Sequence, residues 1–181
     1  MPASILITGG SGGLGSVVVP RLQRDYDCVL LKREPDVPAG SYHALVMLAG
    51  GFAMGREWQA MLEANVMSAA RAIDAALPYL ANNGRIVAIS SAASLTYPAG
   101  LAAYTASKSA LNAIIKTLAK DLASRKITAN ALLPTSLDTP AMREVMPREQ
   151  LVPLDRVAEW IAFLLSENGA GVTGQLITLQ A

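Results

Sequence analysis

Tyr104 and Lys108 stand four residues apart in Tyr104-Thr105-Ala106-Ser107-Lys108, and Ser91 lies upstream of them. On a helix that spacing puts phenol and ammonium on one face, where the ammonium favours the phenolate and lowers the phenol's pKa, so that the phenol can give or take a proton. A serine hydroxyl near them can hold a carbonyl oxygen. At the start of the chain an apolar run enters Thr8-Gly9-Gly10-Ser11-Gly12-Gly13-Leu14-Gly15. Gly9, Gly13 and Gly15 let the backbone approach a phosphate and let a helix pack closely on a strand, with the helix dipole favouring negative charge. A dinucleotide on the glycines and a carbonyl between Ser91 and Tyr104 would make one hydride-transfer site. Alone, each feature has an ordinary explanation, an unliganded glycine turn or a solvated Tyr and Lys on a helix surface.

The elements that must position these residues follow from hydrophobic patterning. Ser4 to Thr8 reads as a buried strand, followed by a helix from Leu14 to Arg24. Strands are expected at Cys28 to Lys32 and Ala44 to Leu48, with only a Pro- and Gly-rich loop between them. Helical spacing of apolar residues predicts a long helix from Glu57 to Leu80, ended by Asn82-Asn83-Gly84. Arg85 to Ser90 is the next strand, Tyr104 to Ser124 a second long helix, and Ile127 to Leu133 a strand. A helix over Asp155 to Ser166 and a strand over Leu176 to Leu179 complete the pattern. Alternating strands and helices imply an α/β fold, a Rossmann-like three-layer αβα sandwich with a mainly parallel sheet of about six strands. Ligands of such sheets bind at the carboxyl ends of the strands, where the glycine turn, Gly50, Ser91 and Pro134 all fall.

With 181 residues, 52% of them hydrophobic, the chain reads as a single dinucleotide-binding domain over 1–181. A net charge of +1 with mixed signs argues against a nucleic-acid surface and for small-molecule partners. Cys28 is the only cysteine, so neither a disulfide framework nor a Cys-based metal site is expected, and a reducing cytoplasm fits. His43 has no ligand companions, and no metal is expected. The apolar runs are too short to span a bilayer, and the first of them follows no basic region.

The motifs resemble those of the short-chain dehydrogenase/reductase family. Its TGxxxGxG pattern is matched by Thr8, Gly9, Gly13 and Gly15, and its YxxxK by Tyr104 and Lys108. Ser91 of Ile89-Ser90-Ser91 matches the family serine and Asn65 of Glu63-Ala64-Asn65-Val66 the family asparagine. The resemblance implies an oxidoreductase interconverting a carbonyl and an alcohol. Tyr104 is then the general acid/base, Lys108 holds the nicotinamide ribose, Ser91 orients substrate and Asn65 positions a proton-relay water. It further implies cofactor contacts from Thr8, Gly9, Ser11, Gly12, Gly13, Leu14 and Gly15, from Ala49 and Gly50, and from Pro134, Leu137 and Thr139. Asn130 to Pro134 and Thr173-Gly174-Gln175 extend the likeness toward the C-terminus.

The chain is shorter than that family in three places. Pro35 to Ser41 replaces a helix and an edge strand, leaving the adenine side more exposed, with Asp36-Val37 as a stand-in for the family's adenine-contacting Asp-Val. Gly50 to Asn65 is compressed, and Leu48-Ala49-Gly50 stands where relatives have Asn-Ala-Gly, whose Asn helps brace the sheet. Asp138 to Pro153 is compressed where relatives carry a substrate lid, and Thr135 follows Pro134 where they have Gly. At the end of the second strand Lys32 and Arg33 offer cations to a 2′-phosphate, which favours NADP(H) over NAD(H), Arg33 matching the family's acidic position. Alanine-rich faces on the two long helices, as in relatives, imply a homodimer through a four-helix bundle, with a homotetramer as the alternative. Trp58 and Trp160 are expected to pack, Tyr97 to reach the substrate mouth or pack, and Met142 and Met146 to line an apolar pocket. The trimmed loops also admit a different function, a catalytically weak cofactor-binding sensor or interaction protein on the same fold.

Overall fold

The apolar alternation at the N-terminus becomes β1 (Ser4–Thr8), whose Ile5, Leu6 and Ile7 are wholly buried. A computed structural model describes residues 2–181. The glycine turn leads into α1 (Gly15–Leu22) and β2 (Asp27–Leu31). The chain returns through a loop to β3 (Tyr42–Met47). Next come α2 (Trp58–Leu62), a π-helical turn over Glu63–Met67, and α3 (Ser68–Ala76). Then follow β4 (Leu80–Ile89), the short α4 (Ala93–Thr96), the long α5 (Ala102–Asp121) and β5 (Thr128–Pro134). The short α6 (Pro140–Arg143), α7 (Leu154–Leu165) and β6 (Leu176–Leu179) finish the fold.

The six strands form one parallel sheet in the order β2-β1-β3-β4-β5-β6. Helices cover both faces, as strands apolar on both sides require. One core layer lies under α3 and α5 and includes Leu45, Ile86, Ile73, Leu111 and Ile115. The other lies under α1 and α7 and includes Val18, Leu22, Val46, Ile161 and Leu164. The expected αβα sandwich is the fold observed. Among the described residues no helix is long and apolar enough to cross a membrane, and no cluster of side chains could hold a metal ion.

Two expectations of local structure need correction. The long helix ends at Ala76, not near Leu80, and Asn82-Asn83-Gly84 lies within β4. Asn83 takes a φ of +60° there and the pairing with β3 shifts register between Tyr42 and Ala44. Asn tolerates that conformation within a strand irregularity as readily as at a helix end. The second concerns Val37. It is 8% exposed and packs in the core layer with Leu31 and Tyr42, so its side chain is spent on the core and little of it is left for an adenine.

Candidate active site

α5 carries the Tyr and Lys because of its buried stripe. Lys108, Leu111, Ile115 and Ala119 recur at helical spacing and all face inward, so Lys108 lies where an apolar residue would be expected and is 4% exposed. Its Nζ donates to the Ile89 carbonyl at 3.0 Å. Burial pulls its pKa down to about 8. Tyr104 sits one turn earlier, with Lys108 Nζ 5.9 Å from its ring centroid. The sequence led us to expect a lowered Tyr pKa. In the protein alone burial raises it, and a hydrogen bond with the Ser91 side chain pulls partly in the opposite direction, so desolvation of the phenolate outweighs that hydrogen bond.

Ser91 follows β4 and is 5% exposed. Its Oγ accepts from Ala93 N at 3.2 Å, and its carbonyl accepts from Ser94 Oγ at 2.6 Å, which in turn accepts from Asn112 Nδ2 at 2.7 Å. Asn112 lies on α5, so the serine is braced by the helix that carries Tyr104. Asn65 is 1% exposed, at the centre of the π-helical turn. Such turns insert an extra residue and re-aim a side chain. Its Oδ1 accepts from Gly51 N at 2.9 Å, while Nδ2 donates to Gly51 O and to Ser107 Oγ, both at 3.0 Å. Ser107 Oγ donates to the Tyr104 carbonyl at 2.7 Å. A Cβ on Gly50 would lie 2.9 Å from Asn65 Oδ1 and 3.1 Å from Lys108 Nζ, so only glycine lets the backbone cross between them.

Two cavities meet at Gly50. One, about 450 Å³, is bordered by Leu14, Ser91, Tyr104, Lys108, Pro134, Leu137 and Thr139, and also by Phe52, Leu101 and Met142. The other, about 370 Å³, is bordered by Thr8, Gly9, Ser11, Lys32, Arg33, Ala49 and Glu63. The trough they form runs along the carboxyl ends of β1, β3, β4 and β5. Gly12 borders neither cavity; its N–H closes the turn onto Gly9 O at 3.1 Å. Gly9 has a φ of +71° and a Cβ there would lie 2.7 Å from Ala49 Cα, while one on Gly15 would lie 2.6 Å from Gly9 O. These two glycines are required by the fold. Gly13 is different, since a Cβ on it would meet nothing within 4 Å; the space over it suits a phosphate against backbone, and the glycine turn fits a dinucleotide.

At the far end of the trough Arg33 is largely exposed and lies 3.7 Å from Glu63 Oε1. Glu63 also accepts from Arg71 Nη2 at 2.5 Å, and this bond holds its carboxyl below its ordinary range. The carboxylate therefore stands at the position where the cations would meet an anionic ligand. Thr139 caps α6, accepting from Met142 N at 3.4 Å, and Leu137 bridges to Val152. The 138–150 segment is held down by Asp138, which accepts from both Arg143 and Arg148.

Phe52, Glu63, Ser107 and Asn112 were missed from sequence. For Ser107 and Asn112 the signal was present, as polar residues on the buried face of α5. Of the singletons, Met142 borders the cavity but Met146 does not. Tyr97 does not border it either; it is 69% exposed in the left-handed region at φ +50°. Trp58 is half exposed rather than packed, and Trp160 meets Phe163 edge to face. His43 has a structural role, with Nε2 2.8 Å from the Leu165 carbonyl and its ring stacked on Tyr26.

The sequence pattern of the family described as Enoyl-(Acyl carrier protein) reductase matches residues 52–181. A 3-oxoacyl-[acyl-carrier-protein] reductase FabG of Thermotoga maritima is 34% identical over 135 residues, 67% of this chain. The match spans only 54% of that relative's length. The FabG of Aggregatibacter actinomycetemcomitans is 27% identical across 99% of this chain and 98% of its own. Among solved structures, a blue fluorescent protein from a metagenomic library in complex with NADPH superposes with a TM-score of 0.87 at 25% identity, covering 98% of this chain and 96% of that one.

Proposed function

The chain belongs to the short-chain dehydrogenase/reductase family of NAD(P)-dependent oxidoreductases, and from that premise we propose that it is an NADP(H)-dependent enzyme interconverting a carbonyl and an alcohol. The observation that carries the reading is the convergence of Ser91, Tyr104 and Lys108 on one cavity that continues past Gly50 to the glycine turn. A reduced dinucleotide bound along the glycine turn would supply the hydride for the carbonyl carbon.

The chain's own residues do the rest. Tyr104 Oη gives its proton to the carbonyl oxygen as that oxygen gains negative charge, and takes one back in the oxidative direction. The Ser91 hydroxyl donates to the same oxygen and fixes the substrate's orientation. Lys108, whose pKa of about 8 keeps most of it protonated at neutral pH, holds a ribose hydroxyl and stabilises a developing phenolate. Asn65 ties the Gly51 backbone to α5 through Ser107, and by fixing that backbone it would position a relay water.

NADP(H) is supported by Lys32 and Arg33 beside the smaller cavity, since a guanidinium matches a phosphate in geometry and charge. The NADPH carried by the similar fluorescent protein agrees with this choice. Exposed Ala102, Ala106 and Ala113 on α5, with half-exposed Trp58, Leu62 and Met67 on the preceding helical segment, support a homodimer through these helices, and light scattering that returned a monomer would overturn it.

The test is calorimetric titration with NADPH and, in parallel, NADH, followed by carbonyl turnover of the wild type and of Tyr104→Phe. We expect tight binding of NADPH, weaker binding of NADH, and turnover that vanishes in Tyr104→Phe with binding retained. Binding of neither nucleotide would refute the cofactor site. Unchanged turnover in Tyr104→Phe would refute the role of Tyr104.

A further inference from the structure

The compressed segment after β3 forms a strap fixed at both ends. Gly51 is held by the Asn65 side chain on its N–H and its carbonyl. Gly55 N donates to Gly100 O at 2.7 Å, and Ala103 N donates back to Gly55 O at 3.4 Å. Between these anchors stands Phe52. Its ring meets the Tyr104 ring edge to face, with centroids 5.0 Å apart and planes at 75°, yet it remains 61% exposed. A large aromatic side chain fixed on the edge of a cavity and left open to water is apolar surface that a ligand can cover.

The charges around this cavity narrow what that ligand is. Lys108 is its only charged bordering residue, and its ammonium is engaged by Ile89 O. Arg143 and Arg148, on the segment that follows Leu137, share the one carboxylate of Asp138. Neither arginine borders the cavity, and the remaining Lys108 donors are those assigned above to the ribose and the phenol, so a carboxylate or phosphate near the reacting carbonyl would be desolvated with no cation of its own in the lining. The lining instead includes Phe52, Leu101 and Met142, an aromatic and two flexible or branched apolar side chains, none of them fully buried.

We infer that Phe52 is the specificity-determining residue of this site and that the substrate is an uncharged ketone or aldehyde carrying an aromatic or alicyclic ring next to its carbonyl. The ring lies against Phe52 while the carbonyl oxygen faces Ser91 and Tyr104. The assignment rests on the reductase reading above. Phe52 also keeps water from one edge of the phenol ring.

The experiment compares wild type with Phe52→Ala, Phe52→Leu and Phe52→Tyr on 1-tetralone, butanone and pyruvate, with NADPH binding followed separately by calorimetry. Wild type is expected to favour 1-tetralone over pyruvate by at least about tenfold in kcat/KM, the scale on which an apolar contact discriminates. Phe52→Ala should raise KM for 1-tetralone by about tenfold, change butanone little, and leave NADPH affinity intact. It should also move the alkaline limb of the pH profile downward, because water reaching Tyr104 reverses part of the shift that burial causes. Phe52→Tyr should restore the 1-tetralone KM, and Phe52→Leu should fall between. Preference for pyruvate, or a loss in Phe52→Ala shared equally by all three substrates, or no loss at all, would overturn the assignment while leaving the reductase reading standing. NADPH binding with no turnover of any carbonyl would overturn the reductase reading and the substrate assignment together.

Discussion

Replacing Lys108 by Met should stabilise the protein at neutral pH while abolishing turnover. The ammonium is 4% exposed and burial takes its pKa from an ordinary 10.5 to about 8. At ~1.4 kcal/mol for each tenfold change, holding the charged form in place costs about 3 kcal/mol. Methionine keeps the stem and removes the charge. It also removes the hydrogen bond from Nζ to Ile89 O, which offsets about 1 kcal/mol of the gain. A net gain of about 2 kcal/mol should raise Tm by roughly 4–8 °C for a chain of this length.

The pH dependence separates this account from a general improvement in packing. Between the folded and unfolded pKa values the unfolded chain binds more protons, so the contribution of Lys108 to stability rises with pH there. Its penalty is complete below pH 8 and disappears above 10.5, as the values require. Calorimetric melts of wild type and Lys108→Met without nucleotide, at several pH values from 7 to 10, should show a Tm difference that shrinks as pH rises. A variant no more stable than wild type at pH 7, or a difference that stays constant across the series, would refute the reasoning. The confirmed pattern would mean that the chain retains a destabilising charge for function.

Because burial holds the Tyr104 pKa above its ordinary 10.0, the phenol stays protonated through neutral and mildly alkaline pH. Carbonyl reduction should be flat up to about pH 8 and fall above it as Lys108 loses its proton, while alcohol oxidation, which needs the phenolate, rises with pH through the neutral range; rate profiles in both directions would check this. Gly13→Ala meets no neighbour in the protein and should change Tm little while weakening NADPH at least about tenfold; Gly9→Ala, at positive φ against Ala49, should cost about 2 kcal/mol or more of stability. Arg33→Glu should weaken NADPH by roughly one to two orders of magnitude with little effect on NADH. Glu63→Gln should strengthen NADPH severalfold, since it removes a carboxylate competing for Arg33, with Tm nearly unchanged because exposed ion pairs contribute little; calorimetric Kd values for both nucleotides decide each case.

What the amino-acid sequence determined by itself was everything encoded in local periodicity and local chemistry. The six strands, the long α5 and the glycine turn follow from spacing that a parallel sheet covered on both faces demands. Since such a sheet gathers its strand ends at one edge, the meeting of Thr8, Gly50, Ser91 and Pro134 followed too. Tyr104 and Lys108 were legible because a helix fixes their relation within one turn. The same local signals misled at Asn82-Asn83-Gly84, where turn residues serve a strand irregularity and a helix end equally well.

Tertiary structure alone decided what depends on neighbours distant in sequence. The shift on Tyr104 changed sign because its desolvation is a property of the surrounding cavity, not of the four-residue spacing to Lys108. Asn65 reaches Gly51 and Ser107 through a π-helical turn that no periodicity announced. Val37 became a core plug, Glu63 closed on Arg33, and Phe52 came to rest on Tyr104 because a shortened chain must still cover its sheet and close its loops. Packing and desolvation are sums over such long-range contacts, and they exist only once the chain has folded.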